Sequence, residues 1–180
     1  MIYASLKTVA RWYHPLTPIC YLMFAAAGGL LTTLALLAIL RLPITAALAQ
    51  AAIVLMLSAW GVKLAWWRLA GVTKYAGSIE SATGLSAIGT VRPLMPPHTE
   101  ENYLQHEMGF VVARKHADKL RIIALLLGGG LPVLILVLAP ASAGVLAVAV
   151  VAHVAGMFVE RWLFFAEAKH VVTLYYGETA

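Results

Sequence analysis

A chain of 180 residues that is 62% hydrophobic and 12% charged, with a mean hydropathy of +0.85, has little material for a soluble core and reads as an integral membrane protein. Its net charge of +5 therefore bears on topology and lipid headgroups, and no nucleic-acid partner is expected. The single cysteine, Cys20, excludes an internal disulfide and a cysteine-ligated metal cluster.

Residues 1–14 form a basic, aromatic lead-in. Trp12, Tyr13 and His14 suit a membrane–water interface. The uncharged run from Pro15 to Leu40 is 26 residues. That exceeds the roughly 7–15 residues of a signal-peptide core, so it reads as a span that stays. Pro15 and Pro18 fit a first helical turn, where a missing N–H costs little. Gly28-Gly29 and Ala25-Ala26-Ala27 give this span, about 16–40, a thin face for close helix contact. Arg41-Leu42-Pro43 reads as a tight turn.

A second span covers about 45–70. Its far end holds Trp60, Lys63, Trp66, Trp67 and Arg68, which reads as an aromatic belt with snorkelling cations. The segment 71–121 is the sizeable polar stretch. Its glycines and prolines predict an irregular loop. From about Thr99, Leu104, Met108 and Val111 recur at helical spacing and predict an amphipathic helix. His106-Glu107 with His116 does not match a zinc-protease motif, because the second histidine is not four residues after the first.

Residues 122–159 carry no Asp, Glu, Lys or Arg. As one helix this run would be about 57 Å long, well beyond a bilayer core. Pro140-Ala141-Ser142 splits it into spans at about 122–139 and 143–168. Gly128-Gly129-Gly130 and Pro132 predict a bent or thin third span. The last helix begins near Gly144, and its pattern continues to about Tyr176. With four spans, the lead-in, the 71–121 loop and the C-terminus share one side. All thirteen Lys and Arg except Arg41 fall on that side, counting span ends. The positive-inside rule places it in the cytoplasm.

Chemistry has few carriers. Phosphate-binding loops, glycine fingerprints and nucleophile elbows are missing from the sequence. His153 alone lies near mid-membrane, and no other span offers a histidine at matching depth, so no haem or metal is expected in this chain. No charged group is expected deep in two facing spans, which argues against a transporter half. His153, Glu160 and Glu167 are seven residues apart and share a helix face, with His170 close to it. The line fits a proton path or a hydrogen bond to a quinone carbonyl. By depth along the helix it fits better side chains that pair with headgroups or one another at the interface.

Several stretches resemble one family. Glu160-Arg161-Trp162-Leu163-Phe164-Phe165-Ala166-Glu167-Ala168-Lys169-His170-Val171-Val172 resembles the end of the membrane anchor subunit of dimethyl sulfoxide reductase-type molybdopterin oxidoreductase complexes. So do Glu80-Ser81-Ala82-Thr83-Gly84-Leu85, Pro96-Pro97-His98-Thr99-Glu100-Glu101-Asn102-Tyr103 and Glu107-Met108-Gly109-Phe110-Val111-Val112-Ala113-Arg114-Lys115-His116. The loop motifs look closest to the branch that includes the sulfite dehydrogenase membrane subunit. The resemblance implies an anchor for an iron–sulfur electron-transfer subunit and a molybdopterin catalytic subunit. It implies a bound quinone, menaquinone or ubiquinone, and a place in the bacterial inner membrane. Such anchors have about eight spans, so this chain resembles their C-terminal half. By that resemblance Tyr3 takes the place of a quinone-site tyrosine at the end of a preceding span. His14 is a further quinone candidate by its interfacial position. The sequence thus predicts an all-α membrane bundle of about four transmembrane helices plus one amphipathic cytoplasmic helix. It predicts no residue catalytic toward the complex's substrate; the alternative is a structural scaffold, or an incomplete fragment, with no quinone site of its own.

Overall fold

The computed structural model describes residues 2–70, 79–85, 87–92, 94–95 and 111–168. Among them there is no strand; the chain is helical. A short α1 (Ile2–Ser5) precedes α2 (Leu16–Ile39) and α3 (Ala46–Ala70). α4 (Ile79–Thr83) and α5 (Val111–Lys115) are brief. α6 (Ala117–Leu125), a π-helical turn (Leu126–Gly130) and α7 (Leu131–Leu138) form one continuous rod, and α8 (Ala143–Ala166) follows. Four helices are long and apolar enough to cross a membrane: 16–39, 46–70, 117–138 and 143–166. The protein is a multi-pass membrane protein.

Heptad spacing explains how the rods pack. The buried residues of α2 are Thr17, Cys20, Phe24, Ala27, Leu31, Leu34 and Ala35. Those of α3 include Ala52, Met56, Ala59, Lys63, Trp66 and Ala70, and those of α8 include Leu146, Ala149, His153, Gly156, Glu160 and Leu163. Steps of three and four keep one seam facing inward in a gently supercoiled bundle. α8 packs on both α2 and the third rod, and α3 lies on α2. Small residues set the closest approaches. A Cβ at Gly156 would run into the backbone of Gly128. One at Gly128 would lie 2.6 Å from Trp60 Cζ2. The outward faces carry Leu22, Leu57, Leu138, Val151 and Phe158, as lipid contact requires.

Two boundaries differ from expectation. The third rod starts at Ala117, five residues before the predicted start at 122, because Asp118, Lys119 and Arg121 are helical too. The last helix closes at Ala166, short of the expected 168, and the stretch 169–176 lies outside the described residues. Arg114 donates from Nε to the carbonyl of Ala166 at 3.0 Å and from Nη2 to that of Ala168 at 3.3 Å. These bonds satisfy carbonyls that a helix end leaves open. The expected amphipathic stretch 99–110 and His98, His106 and His170 lie outside the described residues. The turn after α2 places Arg41 at φ 56°, a left-handed conformation that lets the chain reverse before Pro43.

Candidate functional site

The buried charges gather at the end of the bundle that holds the lead-in, the end of α3, the start of α6 and the end of α8. Lys63 of α3 and Glu160 of α8 form an ion pair, with side chains 1% and 0% exposed. Arg161 contacts the other carboxylate oxygen of Glu160 through its Nε. One carboxylate thus lies between two cations, and the triad carries a net positive charge. Lys63 Nζ sits 3.7 Å over the Trp66 ring, and the Arg161 guanidinium 4.0 Å over Tyr21. Aromatic faces stabilise desolvated cations.

This corrects two expectations. Lys63 does not snorkel, and Trp60 and Trp66 are buried rather than belted at the interface. A charged pair does sit between two facing spans. The physical reason is register: Lys63 falls in the inward heptad of Ala52, Met56, Ala59, Trp66 and Ala70. An ammonium there cannot reach water, and Glu160 meets it across the seam. The sequence holds that signal, since 56, 59, 63, 66 and 70 keep one spacing.

Glu167 lies at the same end, just past the last turn of α8. Arg11 Nη2 lies 2.7 Å from its Oε2, and Arg121 Nη2 lies 2.6 Å from its Oε1. Burial pushes the Arg11 guanidinium below its ordinary value, Glu167 opposes that, and Arg121 adds to it. Arg121 also reaches the exposed Asp118 at 2.8 Å. Glu160 and Glu167 therefore each bridge two cations, and neither is hydrogen-bonded to the other among the described residues.

Tyr3 is half-buried in a cage of rings. Its ring centre lies 5.1 Å from Trp12, 5.6 Å from Phe164 and 5.4 Å from Phe165, all edge-on, and 6.2 Å from Tyr21, stacked. Trp12 Nε1 donates to the carbonyl of Phe164 at 2.9 Å, and Trp66 Nε1 donates to Thr17 at 3.0 Å. These two bonds fasten the lead-in to α8 and α3 to α2. His14 is half-buried, and its Nδ1 accepts from the Leu16 N–H at 3.2 Å at the start of α2. That bond fixes the neutral tautomer, leaving Nε2–H as a donor.

His153 stands apart. Its Nδ1 lies 2.6 Å from the carbonyl oxygen of Gly128. In α-helical register that carbonyl would accept from residue 132, which is proline and has no N–H. Proline also crowds the carbonyl four residues before it, and the chain answers with the π turn, in which the Leu131 N–H bonds Leu126. The His153 Nδ1–H donates to that carbonyl. Its Nε2 edge abuts α2, 3.0 Å from where a Cβ on Gly28 would stand. Neither the Gly128 acceptor nor the Lys63 partner follows from the even spacing of His153, Glu160 and Glu167. Among the described residues no three His, Cys, Asp or Glu side chains are grouped to hold a metal ion.

Fold and site together define a polytopic helical membrane protein with a net-positive ionic layer at one end of its bundle. Along its full length the chain is 29% identical, over 182 residues, to a sulfite dehydrogenase subunit from Allochromatium vinosum. The match takes in 100% of this chain and 56% of that protein, so the chain spans about half the length of the curated relative it matches. No family model matches the chain, and no solved structure matches it.

Proposed function

We propose that the chain is the membrane-anchor part of a quinone-linked molybdopterin and iron–sulfur oxidoreductase complex, of the dimethyl sulfoxide reductase or sulfite dehydrogenase type. It docks the iron–sulfur electron-transfer subunit and the molybdopterin catalytic subunit and exchanges electrons with the quinone pool. The observation that carries this reading is the whole-length likeness to a sulfite dehydrogenase subunit. The crowding of Lys and Arg at one end favours docking in the cytoplasm, with the N-terminus, loop 71–121 and the C-terminus on that side of a bacterial inner membrane.

Tyr3 and His14 have the donors a quinone carbonyl needs. The contacts of Tyr3 are ring contacts, which leave its hydroxyl as the group an entering carbonyl meets. His14 offers Nε2–H because its Nδ1 is already an acceptor. The aromatic cage supplies the flat apolar wall that a headgroup ring stacks on. When reduced, a quinone takes up two protons with its electrons. Glu160 and Glu167, in the cation-flanked layer, are the groups proposed to pass them, with His153 at the inner limit of that path.

A structural scaffold is the second reading. Mutual pairing favours it: Glu160 with Lys63 and Arg161, Glu167 with Arg11 and Arg121. The two readings part on Tyr3→Phe in the full complex. If Tyr3 hydrogen-bonds the headgroup, quinone turnover falls about tenfold while turnover with an artificial electron acceptor is kept. Equal loss of both activities assigns Tyr3 to assembly and supports the scaffold.

A further inference from the structure

At the charged end of the bundle, buried side-chain donors outnumber acceptors among the described residues. Arg11 and Arg121 together occupy both oxygens of Glu167. Among the described residues, Nε and Nη2 of Arg11, Nε of Arg121 and the indole Nε1 of Trp67 are buried there without a hydrogen-bond partner, four donors against the two Glu167 oxygens, which meet the arginines as ion pairs without hydrogen-bond geometry. The three residues belong to one neighbourhood. The Arg121 guanidinium lies 5.8 Å from the Trp67 ring centre and Lys63 Nζ lies 5.2 Å from it, while the Arg11 guanidinium is 5.3 Å from the adjoining Trp66. Arg11, Lys63, Arg121 and Arg161 are set against Glu160 and Glu167; Asp118, with its side chain 89% exposed, is a solvated counter-charge. Cations withdrawn from water with too few anions are costly, and a site with surplus N–H groups fits an anion.

Depth and chemistry decide which anion. Arg121 stands near the start of the third span and Glu167 at the end of the fourth. Helix ends of this kind meet the headgroup layer, where the commonest anion is a phosphodiester. Guanidinium forks match phosphate oxygens in pairs, and an indole N–H adds a single donor. We propose that Arg11, Arg121 and Trp67 form a binding site for the phosphate of a negatively charged phospholipid. This site is independent of the quinone reading. It explains why two arginines converge on one carboxylate: Glu167 holds the guanidinium groups side by side, and the lipid phosphate completes their hydrogen bonding.

The test uses the protein purified in neutral detergent, with phosphatidylglycerol and phosphatidylcholine as probes and native mass spectrometry as the readout. Phosphatidylglycerol is expected to be retained about fivefold more tightly than phosphatidylcholine for each arginine engaged. Arg121→Gln and Arg11→Gln should each remove about that factor, and Arg121→Lys should keep part of it. Should an arginine variant not fold, Asp118→Asn serves instead. It frees Arg121 from a competing carboxylate and is expected to raise phosphatidylglycerol affinity. Equal retention of the two lipids overturns the proposal, as does a preference that survives both glutamine variants or an affinity that Asp118→Asn leaves unchanged. Displacement of bound phosphatidylglycerol by millimolar inorganic phosphate would assign the site to a free anion and overturn the lipid assignment. A preference that vanishes once partner subunits are bound would give the arginines to an acidic protein surface instead.

Discussion

His153 and Glu160 lie on one face of the same helix, seven residues apart, yet they do different work. His153 meets the backbone beside a helix irregularity: Pro132 has no N–H to give the Gly128 carbonyl, and the imidazole donates to it. Glu160 answers no backbone need. It sits between Lys63 and Arg161, an ionic arrangement of the kind that well-packed apolar residues often replace at little cost in stability. A polar group that repairs the fold and a polar group that the fold must bear look identical in a helical wheel. Only the partner distinguishes them. His153 thus meets a backbone carbonyl, and Glu160 meets two cations.

The largest expected effect falls on the ionic layer. Glu160→Gln leaves Lys63 and Arg161 without their shared counter-charge and should destabilise the protein by about 3–5 kcal/mol, measured as reversible unfolding in mixed micelles. The double change Lys63→Met with Glu160→Leu should recover part of that loss, with Arg161 keeping its Tyr21 ring contact but not its carboxylate. If the double variant stays as unstable as the single one, the pair is architectural and the contrast with His153 disappears.

The next effect is steric. Gly156→Ala drives a methyl group into the Gly128 backbone and should cost about 3 kcal/mol, because two helix backbones and not a side chain must give way. His153→Leu should cost less, about 1–2 kcal/mol, by orphaning the Gly128 carbonyl. Pro132→Ala in that background returns an N–H to the carbonyl and should restore part of the loss. Absence of any recovery would mean that His153 is not there for the carbonyl. The smallest effect belongs to Asp118→Asn, an exposed pair with Arg121, worth less than about 1 kcal/mol of stability.

The fold is legible in the sequence because bilayer physics is coarse. Spans of about 20 apolar residues separated by prolines and charges leave few alternatives to four helices. Boundaries are less legible. Asp118 and Arg121 mark a loop by charge, yet their backbone is helical, since polar residues at a span's end can face headgroups without leaving the helix. The site is half legible. The common face of His153, Glu160 and Glu167 is plain from spacing, and Glu160 and Glu167 do lie at the charged end. Lys63 reads as a snorkelling cation because its tryptophan neighbours suggest an interface, whereas its heptad register with Met56, Ala59 and Trp66 places it in the seam. The pairing of Glu167 with Arg11 and Arg121 has no readable signal, because it joins three segments distant in sequence. The His153 acceptor is readable in principle: Gly128 is four residues before Pro132, where a carbonyl must look elsewhere for a donor.

The most direct test of a functional ionic layer is the Lys63→Met/Glu160→Leu variant assembled into the full complex. The quantity to measure is the ratio of quinone-coupled turnover to turnover with an artificial electron acceptor. A stable, assembled complex is expected in which that ratio falls at least about tenfold, because the fold tolerates loss of the layer and proton handling does not. An unchanged ratio in a stable complex would contradict this and leave Glu160 a part of the architecture.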